Sequence, residues 1–363
     1  MTITSQAPAR VDLAGGTLDI WPLYLFHENS QTINFAIQCY ARCRLTPRRG
    51  KEIEIVSGDL KRRETFSSFE AMTSNTRFAL PLPARLVLAF AETGSDRPPG
   101  LSSKRQASLP RAKSRGMPAL PSGFTLETDS DVPAGSGLGG SSALNIAICG
   151  ALARFTGARF TPRKLIELAR NVEAQVLGVP TGEQDYYSAM FGGLQAIHLT
   201  PHGIQPERLT VTADEINARF ILCYTGQSRN SGINNWEVQK AHIDGNRRVI
   251  RHFDRIAAIA AEMRMAIAGR EWNLVARLLD QEWQARKKNH PGITTPGIER
   301  MMALARRHGA LAGKVCGAGG GGCVVFLVKP EAKRSVEAAL AGEGVRLLPT
   351  RMASRGLRVS QTR

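Results

Sequence analysis

Pro133-Ala-Gly-Ser-Gly-Leu-Gly-Gly-Ser-Ser-Ala143 is the stretch that decides how this chain is read. It follows an alternating run, Phe124-Thr-Leu-Glu-Thr-Asp-Ser130, that predicts a strand. It leads into Ala143-Leu-Asn-Ile-Ala-Ile-Cys-Gly-Ala-Leu152, an apolar run that predicts a helix. Glycine lets a backbone turn and approach a ligand without a Cβ clash. The first N–H groups of a helix lack partners and carry the positive end of its dipole. A glycine- and serine-rich helix mouth is therefore an anion site, and phosphate is the common anion to hold there. The bland alternative is a flexible Gly/Ser linker, but linkers are rarely clamped between a strand and an apolar helix.

Around this loop the chain is long enough for two domains. It has 363 residues, of which 42% are hydrophobic and 22% charged, an ordinary globular profile. No apolar run reaches the roughly 18 residues of a spanning helix. The start, Met1 to Pro8, lacks a basic segment followed by an apolar one, so no secretory signal is expected. Six scattered cysteines suit burial better than bridging or zinc, and a reducing cytoplasm fits them. The formal charge of +17 admits either nucleic acid or small anionic substrates. Six of the basic residues fall in one aperiodic segment, 96–122, which lacks aromatics to stack on bases. Phosphorylated small molecules are therefore the expected partners, with no nucleic acid and no membrane.

The N-terminal third reads as strands, notably Ile33–Leu45 and Glu52–Val56, with a short helix at about Pro83–Ala91. Thr161-Pro-Arg-Lys-Leu-Ile-Glu-Leu-Ala-Arg-Asn-Val-Glu-Ala-Gln-Val176 is a marked helix with Thr161 as cap and Pro162 in its first turn. After about residue 205 the pattern changes to a strand at Arg219–Tyr224, long amphipathic helices at Arg247–Ala268 and Trp272–Lys287, a helix at Ile298–Arg307, a buried strand at Cys323–Val328 and a last helix at Pro330–Ala341. The expected organisation is α+β with two domains, residues 1–204 and 205–363.

Three further segments stand out. Pro8-Ala-Arg-Val-Asp-Leu-Ala-Gly-Gly-Thr-Leu-Asp19 places a cation, two glycines and an acid at a strand exit. That suits a polyol, or is a plain strand and turn. Gly178-Val-Pro-Thr-Gly-Glu-Gln-Asp185 carries a carboxylate after a Pro/Gly turn. Asp185 is either a helix N-cap or a base for an attacking hydroxyl. Lys314-Val-Cys-Gly-Ala-Gly-Gly-Gly-Gly-Cys323 brings backbone close to a ligand or to another chain segment. Neither glycine loop is a Walker A, because no Lys follows the glycines of the first, and the βαβ context of a dinucleotide fingerprint is missing.

Together these segments resemble the GHMP kinases, the family of galactokinase, homoserine kinase, mevalonate kinase and phosphomevalonate kinase. The resemblance spans nearly the whole chain. It implies a two-domain fold with a ribosomal-protein-S5-like βαβ core, a ferredoxin-like C-terminal domain and the active site between them. It also implies phosphoryl transfer from ATP, with Mg²⁺, to a hydroxyl of a small molecule. On the matching positions, Pro133, Gly135, Ser136, Gly137, Leu138, Gly139, Gly140, Ser141 and Ser142 would hold ATP. Ser141 and Glu173 would hold the metal, and Asp185 and Arg10 would be catalytic. Gly16, Thr17, Asp19, Arg229, Gly317 and Gly319 would line the acceptor site. Leu13-Ala-Gly-Gly-Thr-Leu-Asp19 and Tyr224-Thr-Gly-Gln-Ser-Arg-Asn-Ser231 are similar to the heptose-phosphate-kinase and fucokinase-like branch. A sugar or sugar phosphate such as D-glycero-D-manno-heptose 7-phosphate is the implied acceptor. Arg229 would either clamp its phosphate or sit in a solvated loop. A mevalonate-type kinase and a non-catalytic sugar- or nucleotide-binding regulator are the alternatives, and a monomer or homodimer is expected.

Overall fold

The computed structural model describes residues 1–92, 123–227 and 231–362. The basic segment 96–122 and Arg229 lie outside the described residues. Strands β1 (Thr2–Ala14), β2 (Gln31–Pro47), β3 (Ile53–Ser57), β4 (Arg62–Phe66), β5 (Phe124–Ser130), β6 (Leu194–Thr200) and β7 (Gly203–Arg208) precede β8 (Phe220–Tyr224), β9 (Ala310–Val315), β10 (Cys323–Val328), β11 (Arg346–Leu348) and β12 (Arg358–Thr362). The helices are α1 (Phe69–Thr73), α2 (Pro81–Glu92), α3 (Gly140–Thr156), α4 (Pro162–Leu177), α5 (Gln184–Phe191), α6 (Ala213–Arg219), α7 (Ser231–Ile243), α8 (Arg247–Ala268), α9 (Trp272–Lys287), α10 (Pro296–Arg307) and α11 (Lys333–Gly342).

The first sheet runs β12-β1-β2-β5-β3-β4, with β6 on the other half of β2 and β7 beyond β6. The length of β2 allows this: its start pairs with β6 and its end with β5. β5 and β6 are joined through α3, α4 and α5, which is the expected βαβ core. Helix α3 is apolar on nearly every side and lies against β1 and β2 as a core helix. Helix α4 is bounded as its sequence dictates: the Thr161 side chain accepts from Lys164 N at 3.3 Å, Pro162 opens the first turn, and Gly178 closes the helix in the left-handed conformation.

The second sheet is antiparallel in the order β11-β8-β10-β9. Counted within the unit this is 4-1-3-2, with helices between the first and second strands and between the third and fourth, so the ferredoxin-like expectation holds. The chain does not stay there. β12 returns to pair with β1, and β7 pairs with β6, so both strands belong to the first sheet. One core also joins the units: Ala9, Val11 and Leu13 of β1 pack in the same cluster as Leu278 and Leu279 of α9 and Val325 of β10. That shared core brings the exit of β1 beside α9 and the second glycine loop.

Candidate active site

The glycine loop lines a cleft of about 430 Å³, together with Arg10, Glu173, Asp185, Asn235 and Gly317. Pro133, Gly135, Ser136, Gly137, Gly139, Gly140, Ser141 and Ser142 all face it. Leu138 does not; its side chain is buried in the shared core, and its carbonyl accepts from Arg10 N at 2.9 Å. One end of the cleft is apolar, with Leu80, Leu82, Leu144, Leu177 and Val179.

The two glycine loops touch backbone to backbone. A Cβ on Gly137 (φ +75°) would lie 2.4 Å from the Cys316 carbonyl oxygen, and one on Gly317 (φ +68°) would lie 2.8 Å from Gly137 Cα. Only glycine permits both the left-handed turn and the contact. Cys323 N donates to Ser136 O at 2.8 Å, which fixes the register of this meeting.

Arg10, almost wholly buried on β1, occupies the junction. Its Nε donates to Asp185 Oδ1 at 2.7 Å, its Nη2 lies 2.5 Å from the same oxygen, and its Nη1 donates to Gly137 O at 2.6 Å. Asp185 lies in the first turn of α5, where Glu183 holds the cap position, so Asp185 is not the N-cap. Its side chain keeps about a fifth of its surface open, at 22%. A carboxylate facing a cleft, paired to a buried cation, can take or orient a proton there.

Glu173 on α4 reaches the mouth of α3. Ser141 Oγ donates to Oε1; Ser142 Oγ and Tyr186 Oη donate to Oε2 at 3.0 and 2.7 Å. Burial pushes the Glu173 carboxyl above its ordinary range, against the pull of the Ser141, Tyr186 and Ser142 hydroxyls. Glu173 and Ser141 together offer hard oxygen donors on the cleft wall, the chemistry that Mg²⁺ prefers. Among the described residues no cluster of three or more His, Cys, Asp or Glu could hold a metal unaided.

The turn after β1 does not line the cleft but packs beside Gln184, next to Asp185. Asp19 is buried, accepts from Gln184 N at 2.9 Å, and has its carboxyl pushed up to about 7 by burial and by the neighbouring charge of Asp185. Beneath the turn lies a buried cluster of four charges. Lys314 Nζ bonds Asp12 Oδ2 at 2.9 Å and Glu282 Oε1 at 3.0 Å, with all three side chains fully enclosed. Arg286 Nη1 adds Glu282 Oε1 at 3.2 Å. Burial raises the Asp12 carboxyl, but Lys314 and Arg286 carry it below its usual range.

Sequence reading thus placed Arg10, Asp185, Glu173 and the serines in one cleft. Gly16, Thr17 and Asp19 do not line it: Thr17 borders only a side chamber, Asp19 is buried, and Gly16 backs onto the charge cluster, where a Cβ would lie 2.6 Å from Asp12 Oδ2. Gly319 packs against Ile293 and does not line the cleft. Asp12, Glu282, Arg286 and Asn235 were missed, as was the role of Lys314. A signal existed for two of them: Val275, Leu278 and Leu279 phase the buried face of α9, and Glu282 and Arg286 fall on it.

The fold and cleft define a two-domain phosphotransferase with a glycine loop at a helix mouth. Residues 106–193 match the GHMP kinases N terminal domain, and residues 257–346 match the GHMP kinases C terminal domain. The chain is 28% identical over 348 residues to the D-glycero-alpha-D-manno-heptose 7-phosphate kinase of Campylobacter jejuni, covering 94% of each. It is 27% identical over 252 residues to the mevalonate kinase of Thermococcus sibiricus, covering 65% of this chain and 69% of the relative. The crystal structure of a D-glycero-D-manno-heptose 1-phosphate kinase from Bacteroides thetaiotaomicron shares the fold with a TM-score of 0.76 at 23% identity, covering 99% of both chains. The chain belongs to the GHMP kinase family, and it is a kinase with an alcohol acceptor.

Proposed function

We propose that the chain transfers the γ-phosphoryl group of ATP to a hydroxyl of a sugar phosphate, a heptose phosphate being the first choice. The observation that carries this is the Arg10–Asp185 pair, set between the Gly137 carbonyl and the Asp19 turn. The likeness to a heptose 7-phosphate kinase over 94% of the chain supports the acceptor class.

In this reading the loop 133–142 and the N-terminus of α3 cradle the phosphates, and the apolar end of the cleft takes the base. Glu173 and Ser141 would hold Mg²⁺ together with phosphate oxygens. Bound there, the ion would neutralise charge on the β- and γ-phosphates. Asp185 accepts or orients the proton of the acceptor hydroxyl. That oxygen forms the new bond to γ-phosphorus as the bond to the β-phosphate oxygen breaks. Arg10 holds Asp185 in place and offsets charge developing on the transferred group. Asp19 and Thr17 meet acceptor hydroxyls, and Gly317 supports the loop from the second unit.

A coupled ADP-release assay against heptose 7-phosphate, free hexoses and mevalonate tests the reading. Turnover is expected with the heptose phosphate, giving a bisphosphate by mass spectrometry. Turnover with mevalonate alone would replace the acceptor class. Nucleotide binding without turnover of any alcohol would favour a non-catalytic binder.

A further inference from the structure

The geometry points to Arg286 as a positioning residue for the acceptor, acting through Thr17; this rests on the kinase reading above. Arg286 projects from α9 in the second unit and is almost fully buried. Its Nη1 donates to Gly16 O at 3.0 Å, and its Nη2 donates to Thr17 Oγ1 and to Gly317 O, each at 2.9 Å. One guanidinium therefore ties the turn after β1 to the second glycine loop. That loop in turn abuts Gly137 of the phosphate loop.

The ordinary alternative is an arginine that merely neutralises buried carboxylates. The distances argue otherwise. Arg286 makes no bidentate pair; its carboxylate contacts are the longer ones, 3.2 Å to Glu282 and 3.8 Å to Asp12. Lys314 already bonds both acids, so the shorter Arg286 bonds are left for the loops.

Thr17 shows what those bonds achieve. Its φ is +75°. A β-branched residue there is a true outlier and persists only where its surroundings over-determine it. The Thr17 hydroxyl is engaged twice: it accepts from Arg286 and donates to Asn235 Oδ1 at 3.2 Å. Asn235 also lines the cleft, and Thr17, Asn235 and Arg286 share a side chamber of about 10 Å³, room for roughly one water. Arg286 and Asn235 thus hold a strained turn two residues before Asp19, tied to the cleft through Asn235 and Gly317, which line it.

The test is a double-mutant cycle on the full chain with Arg286→Lys and Thr17→Val. Native turnover of an alcohol is measured first, which tests the kinase reading alone. Each variant is then assayed for kcat, acceptor KM and the Kd of AMPPNP, and unfolded in urea without ligand. The single variants are expected to lose about 10- to 100-fold in kcat/KM for the acceptor, since small misplacements of positioned groups cost that much. AMPPNP affinity should stay within about threefold, and the double variant should be no worse than Arg286→Lys, because both remove one interaction. Asn235→Ala, at the partly exposed partner, should reproduce part of the acceptor loss with little effect on unfolding. Additive losses, acceptor kinetics unchanged in Arg286→Lys, or equal falls in AMPPNP binding and acceptor use would overturn the positioning role while native turnover stood.

Discussion

The glycine loop and the turn after β1 are made by opposite means. The phosphate wall is backbone, glycine and short hydroxyls drawn from one contiguous stretch, 133–142. The turn that the proposed function gives to the acceptor, the acceptor wall, is held over buried charges that come from β1, α9 and β9. Chain connectivity and a helix dipole suffice to form the first. The second exists only when both units have packed, because Asp12, Glu282, Arg286 and Lys314 meet across the shared core. On the proposed function, a ligand common to many kinases is met by a local motif, whereas acceptor choice falls to tertiary structure.

Asp185 stands where the walls meet, and its loss should have the largest effect. Asp185→Asn keeps the shape and removes the base, so kcat should fall by about 10²–10⁴-fold. Arg10 would retain its bond to Gly137 O, and AMPPNP binding should persist. Steady-state kinetics beside calorimetry of AMPPNP checks both halves. Unchanged turnover would remove the base assignment.

Lys314→Met strikes the acceptor wall alone. It leaves two enclosed carboxylates, Asp12 and Glu282, with only the longer contacts of Arg286, 3.8 and 3.2 Å. Breaking a buried pair from one side costs about 3–5 kcal/mol. Urea unfolding should show that loss, and a change below about 1 kcal/mol would mean that water reaches the cluster.

The phosphate wall should fail for a different reason. Gly137→Ala forces a Cβ into the Cys316 carbonyl and a left-handed φ on alanine. Together these should cost about 3 kcal/mol, with nucleotide affinity falling alongside. Gly157→Ala has a similar φ of +71° but nothing within 4 Å of the added Cβ, and should cost only about 1 kcal/mol. Equal costs for the two would mean that the glycine loops need not touch.

The same contrast explains what the sequence let one read. The helix mouth at Gly140, the Thr161 cap and the helices Arg247–Ala268 and Trp272–Lys287 are local signals, and they were legible. The fold class followed from their order and from the family motifs. Arg10, Glu173 and Asp185 were legible because each lies in or beside a motif. Helix α7, which carries Asn235, gave weak amphipathic periodicity and went unread. Glu282 and Arg286 lie on the apolar face of α9, but their meeting with Asp12 and Lys314 is tertiary and has no local signal. Gly16 and Gly319 carry family-motif positions, yet their backbones serve packing against Asp12 and Ile293.

Asp19 gives the sharpest test of how dry the acceptor wall is. Its carboxyl sits at about 7 in the folded chain, raised first by burial and next by Asp185. In the unfolded chain it should titrate near 3.9. The folded state therefore binds this proton more tightly. The stabilisation is fully present below about pH 4 and is lost as pH rises through about 7. Asp19→Asn keeps the shape and cannot ionise, so it escapes that loss. Its stability relative to the native chain should therefore rise by about 2 kcal/mol between pH 5 and pH 8 in urea unfolding. Asp185 and Asp12 on one side and Arg10 on the other also act on this carboxyl. Repeating the measurement in Asp185→Asn removes one acid and should shrink the difference. A difference that did not change with pH would mean that Asp19 is hydrated and ionised in the apo enzyme, and that the acceptor wall closes only around its substrate.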